Sequence, residues 1–310
     1  MAAKRALRIF GFSSLIAILL LVAWAWTPDL DRAVLEARYA RPPSEFVDAA
    51  GARVHVRVSG SPDAPVVVMI HGFGASLHTW EPWADVLSRS HRVIRYDLTG
   101  GGLTGPDPTG DYTDARAMQV LTALMDHYGV GRASLVGHSI GGRLAWRFAG
   151  TYPDRVHQLV LVAPDGFASP GFEYGKRTEV PAVLGLMRYF LPKAVLRMNL
   201  EPAYGDPSRL ADDVVQRYHD LMRGPGVRDA LFKRLEQTIL EDPTQFITGI
   251  RGPTLLVWGE SDAMIPVTNA QDYLRRMPDA RLVSFPGLGH VPHEEAPAPT
   301  VVPVRDFLNR

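Results

Sequence analysis

Three residues far apart in the chain have the types and local settings of an acyl-transfer site. Ser139 lies in Gly137-His138-Ser139-Ile140-Gly141, after the apolar run Ala133-Ser134-Leu135-Val136 and before Gly142-Arg143-Leu144-Ala145-Trp146. A strand that turns sharply into a helix holds a serine hydroxyl out toward solvent, and a Cβ at the flanking positions would clash, which is what the two glycines avoid. A serine hydroxyl attacks nothing at its free pKa, so a base and a group that orients the base must come from elsewhere. Asp262 follows the buried-strand pattern Pro253-Thr254-Leu255-Leu256-Val257-Trp258-Gly259, and His290 follows the short strand Arg281 to Pro286 through Gly287-Leu288-Gly289. The expected roles are nucleophile for Ser139, orienting carboxylate for Asp262 and general base for His290. The pentapeptide alone also fits a bland glycine-rich turn with a buried serine, and its ordered partners tip the balance.

Each assignment has a rival. Glu260 shares the loop of Asp262, and Asp165 follows another strand, Leu159 to Ala163, from which a carboxylate can reach the base. Asp262 is preferred because its loop lies between a clear strand and the helix expected over 266–277. His293 competes with His290, which is favoured by its Gly-Leu-Gly turn, while the side chain of His138 is expected to point away from the site. The developing oxyanion needs backbone donors. Ile140 N–H is one candidate, and Phe73 N–H is the other, in the small-residue stretch His71-Gly72-Phe73-Gly74-Ala75-Ser76 after the strand Val66 to Ile70.

From about Glu45 to its C-terminus the chain resembles the α/β-hydrolase superfamily. The motifs are His71-Gly72-Phe73-Gly74, Gly137 to Gly142, Trp258-Gly259-Glu260-Ser261-Asp262 with Ile265-Pro266, and Gly289-His290. Within it, the chain is similar to bacterial lipases and esterases that share sequence pattern with haloalkane dehalogenases, epoxide hydrolases and meta-cleavage-product hydrolases. The resemblance implies an α/β fold, a mostly parallel central sheet flanked by helices. It departs at Tyr96 to Thr104, where Gly100, Gly101 and Gly102 replace the usual aromatic between glycines, and a more mobile loop is expected there. Dehalogenases and epoxide hydrolases use an aspartate at the elbow, so Ser139 points instead to ester or C–C bond hydrolysis through an acyl-enzyme.

The strand pattern breaks after Pro164-Asp165-Gly166 and resumes at Gly252-Pro253, leaving far more chain than an α/β connection needs. An inserted helical cap is expected, with helices over Val180–Phe190, Pro192–Leu200, Pro207–Met222 and Val227–Leu240. Its Leu184, Met187 and Leu191 are candidate pocket residues, although helices bury one apolar face in any case. The resulting organisation is an N-terminal anchor and stalk over 1–44, core over 45–168, cap over 169–250 and core again over 251–310.

Ile9 to Trp26 carries no charge and follows Lys4, Arg5 and Arg8, which reads as an uncleaved transmembrane helix with its N-terminus inside and the catalytic part periplasmic, on the outer side of a bacterial inner membrane. The alternative is a signal peptide, cleaved near Ala23-Trp24-Ala25 to secrete the protein. Asp31 to Arg41 reads as a helical stalk ended by Pro42-Pro43. With 33 basic and 33 acidic residues, nucleic acid is not an expected partner. No metal-ligand spacing or phosphate loop is visible, so no cofactor is expected, and the absence of cysteine excludes disulfides.

These readings converge on a serine hydrolase of small-molecule or lipid carboxylic esters, with apolar acyl groups favoured by the cap. A second reading is a C–C hydrolase of meta-cleavage-product type, which needs a cationic pocket; Arg143, Arg177 and Arg188 are candidates. A third is a non-catalytic ligand-binding protein on the same fold.

Overall fold

The apolar runs pair into one eight-stranded sheet in the computed structural model, which describes residues 2–168, 173–177 and 181–310. The strands are β1 (Ser44–Ala49), β2 (Ala52–Ser59), β3 (Val66–Ile70), β4 (Arg92–Tyr96), β5 (Ala133–His138), β6 (Val156–Val162), β7 (Thr254–Gly259) and β8 (Ala280–Phe285). Their order is β1-β2-β4-β3-β5-β6-β7-β8, antiparallel for the first two pairs and parallel thereafter. Every residue of β5 and β7 is buried, as expected for parallel strands covered on both faces, and this explains their unbroken apolar sequence.

At the N-terminus α1 spans Ala2–Ala25 and α2 spans Arg32–Tyr39, with the Asp31 carboxylate capping α2 through Ala33 N–H. Among the described residues no helix is long and apolar enough to cross a membrane, so the transmembrane helix expected over 9–26 is not supported. The helix stops at Ala25 because Thr27 Oγ1 donates to the Ala25 carbonyl and Trp26 docks on Phe190 through a β-bridge, so the apolar run ends against protein. Its described side chains nevertheless face outward, Phe10 at 71% and Trp24 at 60% exposure.

α3 (Glu81–Leu87), α4 (Asp114–His127) and α5 (Ile140–Thr151) follow successive strands. Between β6 and β7 come a 3-10 segment (Ala182–Arg188), α6 (Lys193–Leu200), α7 (Asp212–Met222), α8 (Val227–Gln237) and the short α9 (Thr244–Ile247). α10 (Ala270–Arg276), α11 (Pro292–Glu295) and α12 (Pro297–Leu308) complete the chain. Val180, the start of one expected cap helix, and the expected cap boundary at 169 lie outside the described residues. Trp80, Trp83, Val301, Val304 and Phe307 cover one sheet face with α3 and α12; Leu121, Leu124, Leu144, Phe148 and Tyr273 from α4, α5 and α10 cover the other.

The Gly100 to Gly102 loop is tied down rather than loose. Asp97, fully buried, pairs with His55 at 2.7 Å and accepts hydrogen bonds from Leu77 and Leu103 N–H, both at 2.7 Å. Gly102, at φ +50°, packs so closely on this carboxylate that a Cβ would lie 2.1 Å from it, and Gly100 N–H donates to the Gly105 carbonyl at 2.6 Å. Burial raises the Asp97 pKa, but facing His55, with His71 and His78 nearby, outweighs it and holds the group well below the usual carboxylate range.

α5 packs against β3 through glycine. A Cβ on Gly141 would lie 2.3 Å from the Ile70 carbonyl oxygen and 2.5 Å from that of His71, both backbone atoms that cannot swing away. Gly141→Ala should therefore destabilise the fold by about 1–3 kcal/mol, measured as a lowered urea midpoint; an unchanged midpoint would show that α5 has room to shift.

Candidate active site

β5 delivers Ser139 into a strained turn at φ +53° and ψ −121°, outside the regions ordinary residues favour. The turn is held from several sides. Ser139 N–H donates to Val162 O at 3.0 Å, and Asp165 N–H donates to Ser139 O at 3.1 Å. Gly137 is required because its Cβ would lie 2.2 Å from the Gly141 carbonyl oxygen. Strand, turn and helix thus occur in the order expected from the sequence.

Asp262 and His290, from the loops after β7 and β8, meet beside this turn, with His290 Nδ1 2.8 Å from Asp262 Oδ2. The other oxygen, Oδ1, accepts Met264 and Ile265 N–H at 2.8 Å each, which fixes the carboxylate plane. With a carboxylate at Nδ1, the neutral imidazole carries its proton there and leaves Nε2 as the base. Ser139 and His290 line one cavity of about 260 Å³, together with Phe73 and Ile140, the two expected oxyanion donors.

The rivals are committed elsewhere. The Asp165 carboxylate borders the cavity of Ser139 and His290 but pairs with Arg143, and Glu260 accepts a hydrogen bond from Ser284 Oγ at 2.7 Å. His293 is fully buried, stacked on Trp80 at 4.3 Å with Nε2 3.1 Å from Thr79 Oγ1. His138 turns away from the cavity as expected, and its Nε2 lies 2.9 Å from the His290 carbonyl oxygen, so it donates there and supports the base from behind. Two further supports were not anticipated: Glu295 accepts Gly289 N–H at 2.7 Å, and the Ala203 carbonyl accepts His290 N–H at 2.7 Å. The Gly-Leu-Gly turn is needed here too, since a Cβ on Gly289 would lie 2.5 Å from Ala203 O.

The expected pocket residues are a correction. Leu191 is buried in a separate cluster with Ala75, Leu196 and Tyr218, Met187 packs against that cluster, and Leu184 is 41% exposed. The stretch 184–191 that carries them docks on Trp26 and Thr27, just after α1, with Leu191 N–H donating to Thr27 Oγ1, rather than over Ser139. The cavity wall comes instead from Arg234, Leu235, Thr238 and Leu240 on and after α8, with Phe167, Met264, Ile265 and Asn269 from the core. Positions 231, 234, 235 and 238 share one helical face, a spacing legible in the sequence, but only packing reveals which face turns inward. Arg143, one of three expected cationic candidates, lines the cavity but is paired with Asp114 at 3.0 Å and with Asp165. Arg188 pairs with Asp229 in a different hollow, and Arg177 bridges to Ile239.

Burial, with His290 and Arg217 nearby, pushes the His293 pKa down to about 3. The folded histidine therefore stays neutral while the unfolded one takes a proton below its ordinary value of about 6.5, so stability falls as pH drops from 6.5 toward 3. His293→Phe keeps a ring on Trp80 and removes this titration. The loss of unfolding free energy between pH 7 and pH 5 should shrink by about 2 kcal/mol, read from urea curves at both pH values; an equal loss in both proteins contradicts the assignment.

A family model described as the alpha/beta hydrolase fold matches residues 65–297. The chain is 28% identical over 249 residues to the 2-hydroxy-6-oxo-6-phenylhexa-2,4-dienoate hydrolase of Burkholderia cepacia, covering 77% of this chain and 85% of that protein. It is 28% identical over 281 residues to epoxide hydrolase 3 of Xenopus tropicalis, covering 83% of this chain and 75% of that one. The crystal structure of the enol-lactonase from Burkholderia xenovorans superposes with a TM-score of 0.72 at 23% identity, over 86% of this chain and all of that one, a likeness of fold. Sheet order, the strained serine turn and the family match together show that the chain belongs to the α/β-hydrolase superfamily.

Proposed function

We propose that the protein is a serine hydrolase that cleaves small carboxylic esters through an acyl-enzyme on Ser139. The observation that carries this reading is the strained Ser139 turn in one cavity with a His290–Asp262 pair at 2.8 Å. Ser139 Oγ attacks the ester carbonyl while His290 Nε2 takes its proton, and the N–H groups of Phe73 and Ile140 receive the developing oxyanion. His290 then gives the proton to the departing alkoxide, and water, activated by the same imidazole, releases the acid. Asp262 keeps the tautomer and stabilises the imidazolium that forms. The cavity volume of about 260 Å³ favours short acyl groups, and its Phe73, Ile140, Leu235 and Leu240 walls offer apolar surface to the body of the chain.

A second reading, C–C bond hydrolysis of a vinylogous keto-acid, is favoured by the relative from Burkholderia cepacia and by the two arginines on the cavity wall. The two are separated by a panel of p-nitrophenyl esters of graded chain length run beside a dienoate. We expect turnover of short esters, abolished to background in Ser139→Ala and lowered roughly 10⁴-fold in Asp262→Asn, where the imidazole tautomer is lost. Turnover of the dienoate with none of the esters would establish the second reading. Ester hydrolysis that survives in Ser139→Ala would sink the mechanism.

Location is a separate proposal. The charge-free run over 9–26 and the outward Phe10, Leu20 and Trp24 side chains support association of α1 with a bilayer, with the catalytic part on the periplasmic side. The full chain should sediment with membranes after a carbonate wash, and a chain beginning at Thr27 should not. A full chain that stays in the supernatant refutes this, as does a mature N-terminus beyond residue 26.

A further inference from the structure

One cavity residue has no part in the ester chemistry. Arg234, on α8, is 4% exposed and lines the same cavity as Ser139 and His290. Its guanidinium donates to the carbonyl oxygens of Thr99 at 2.6 Å and Tyr112 at 3.3 Å. Among the described residues no carboxylate lies within ion-pair distance of it. Arg143, the other cavity arginine, is by contrast neutralised by Asp114 and Asp165.

A guanidinium stays charged in proteins, and five N–H groups remain to be shared among partners. Two backbone carbonyls account for two of them and the Tyr112 ring lies 5.8 Å from the guanidinium carbon, while Asp114 acts on the charge only from beyond ion-pair distance; a buried cation with no carboxylate in contact is in an unfavourable state. Pinning α8 to the glycine loop explains those two hydrogen bonds but not the charge, because a neutral amide could donate both with less desolvation. Thr238 and Asn269 add polar groups to the same cavity, and Phe73, Leu235 and Leu240 add apolar surface.

We propose that Arg234 is the specificity-determining residue that receives a carboxylate on the substrate, so that the preferred substrates are short esters whose far end is anionic. This rests on the ester reading above and narrows it. Ser139 meets the ester carbonyl, the apolar walls take the body of the molecule, and Arg234 pairs with the second, unesterified acid group by charge-assisted hydrogen bonds.

The test compares monoethyl glutarate with diethyl glutarate, which differ in the free carboxylate. Wild-type protein should favour the mono-ester in kcat/KM by at least about 10-fold. Arg234→Gln should lower kcat/KM for the mono-ester by roughly 10² while changing the diester by less than about 3-fold, and Arg234→Lys should restore part of the loss. Equal losses on both esters would reduce Arg234 to a staple between cap and loop, and equal rates in the wild type would also overturn the proposal. Calorimetric binding of the two esters to Ser139→Ala, with and without Arg234→Gln, reads the same preference without turnover. If no ester is hydrolysed but the mono-ester still binds more tightly through Arg234, the ester reading falls and the carboxylate-binding role of Arg234 stands; if that binding preference is missing, that role falls.

Discussion

The structure depends on a close approach of backbones at the start of α5. Gly137 and Gly141 let β5 turn into the helix while the helix lies against the Ile70 and His71 carbonyls at the end of β3. No other residue type fits at Gly137 or Gly141, because the colliding atoms are main-chain oxygens with nowhere to go. The contact forces Ser139 to φ +53° and raises its side chain above the carboxyl ends of the strands. The same edge carries the loops after β3, β7 and β8, so Phe73, Asp262 and His290 converge on the serine without any long-range adjustment. The site also sits where strand order reverses between β3 and β5, the place at which open α/β sheets leave a crevice.

Around that turn the supporting carboxylates are buried and paired. Asp97 faces His55 and holds the glycine loop through Leu103 N–H, while Glu295 gathers Gly205, Asp206 and Gly289 N–H groups just before His290. Buried charges of this kind are costly unless every oxygen finds a partner, and here they do. The result is a histidine, His290, whose ring is held at Nδ1 by Asp262 and whose backbone is held by His138 and Ala203. Rigidity of this sort is what an acyl-transfer site requires, because the donors and base must already be in place when charge develops.

Much of this was legible in the chain. The Gly-x-Ser-x-Gly run, the strands of continuous apolar residues and the glycines before His290 each record a local demand, namely a tight turn, burial on two faces or a close backbone contact. Other expectations failed for want of spatial information. Three adjacent glycines suggest a loose loop until Asp97 is seen to fill the space a side chain on Gly102 would occupy, and the Tyr112 ring that of one on Gly100. Leu184, Met187 and Leu191 have the apolar character of pocket residues, yet their segment is claimed by the chain just after α1, where Trp26 stacks on Tyr189 at 6.2 Å.

What the sequence determined by itself is therefore the apolar strands, the serine turn and the two loops that bring Asp262 and His290 beside it, because these rest on demands between near neighbours or on the composition of single strands. Tertiary structure alone decided which face of α8 closes the cavity, and with it that Arg234 rather than Arg177 or Arg188 meets the site. It also decided that the His138 ring bonds the His290 carbonyl and that His293 lies buried on Trp80, both away from the cavity wall. The physical reason is common to both: several amphipathic faces and several histidines satisfy the same local rules, and only the packing of distant segments chooses among them.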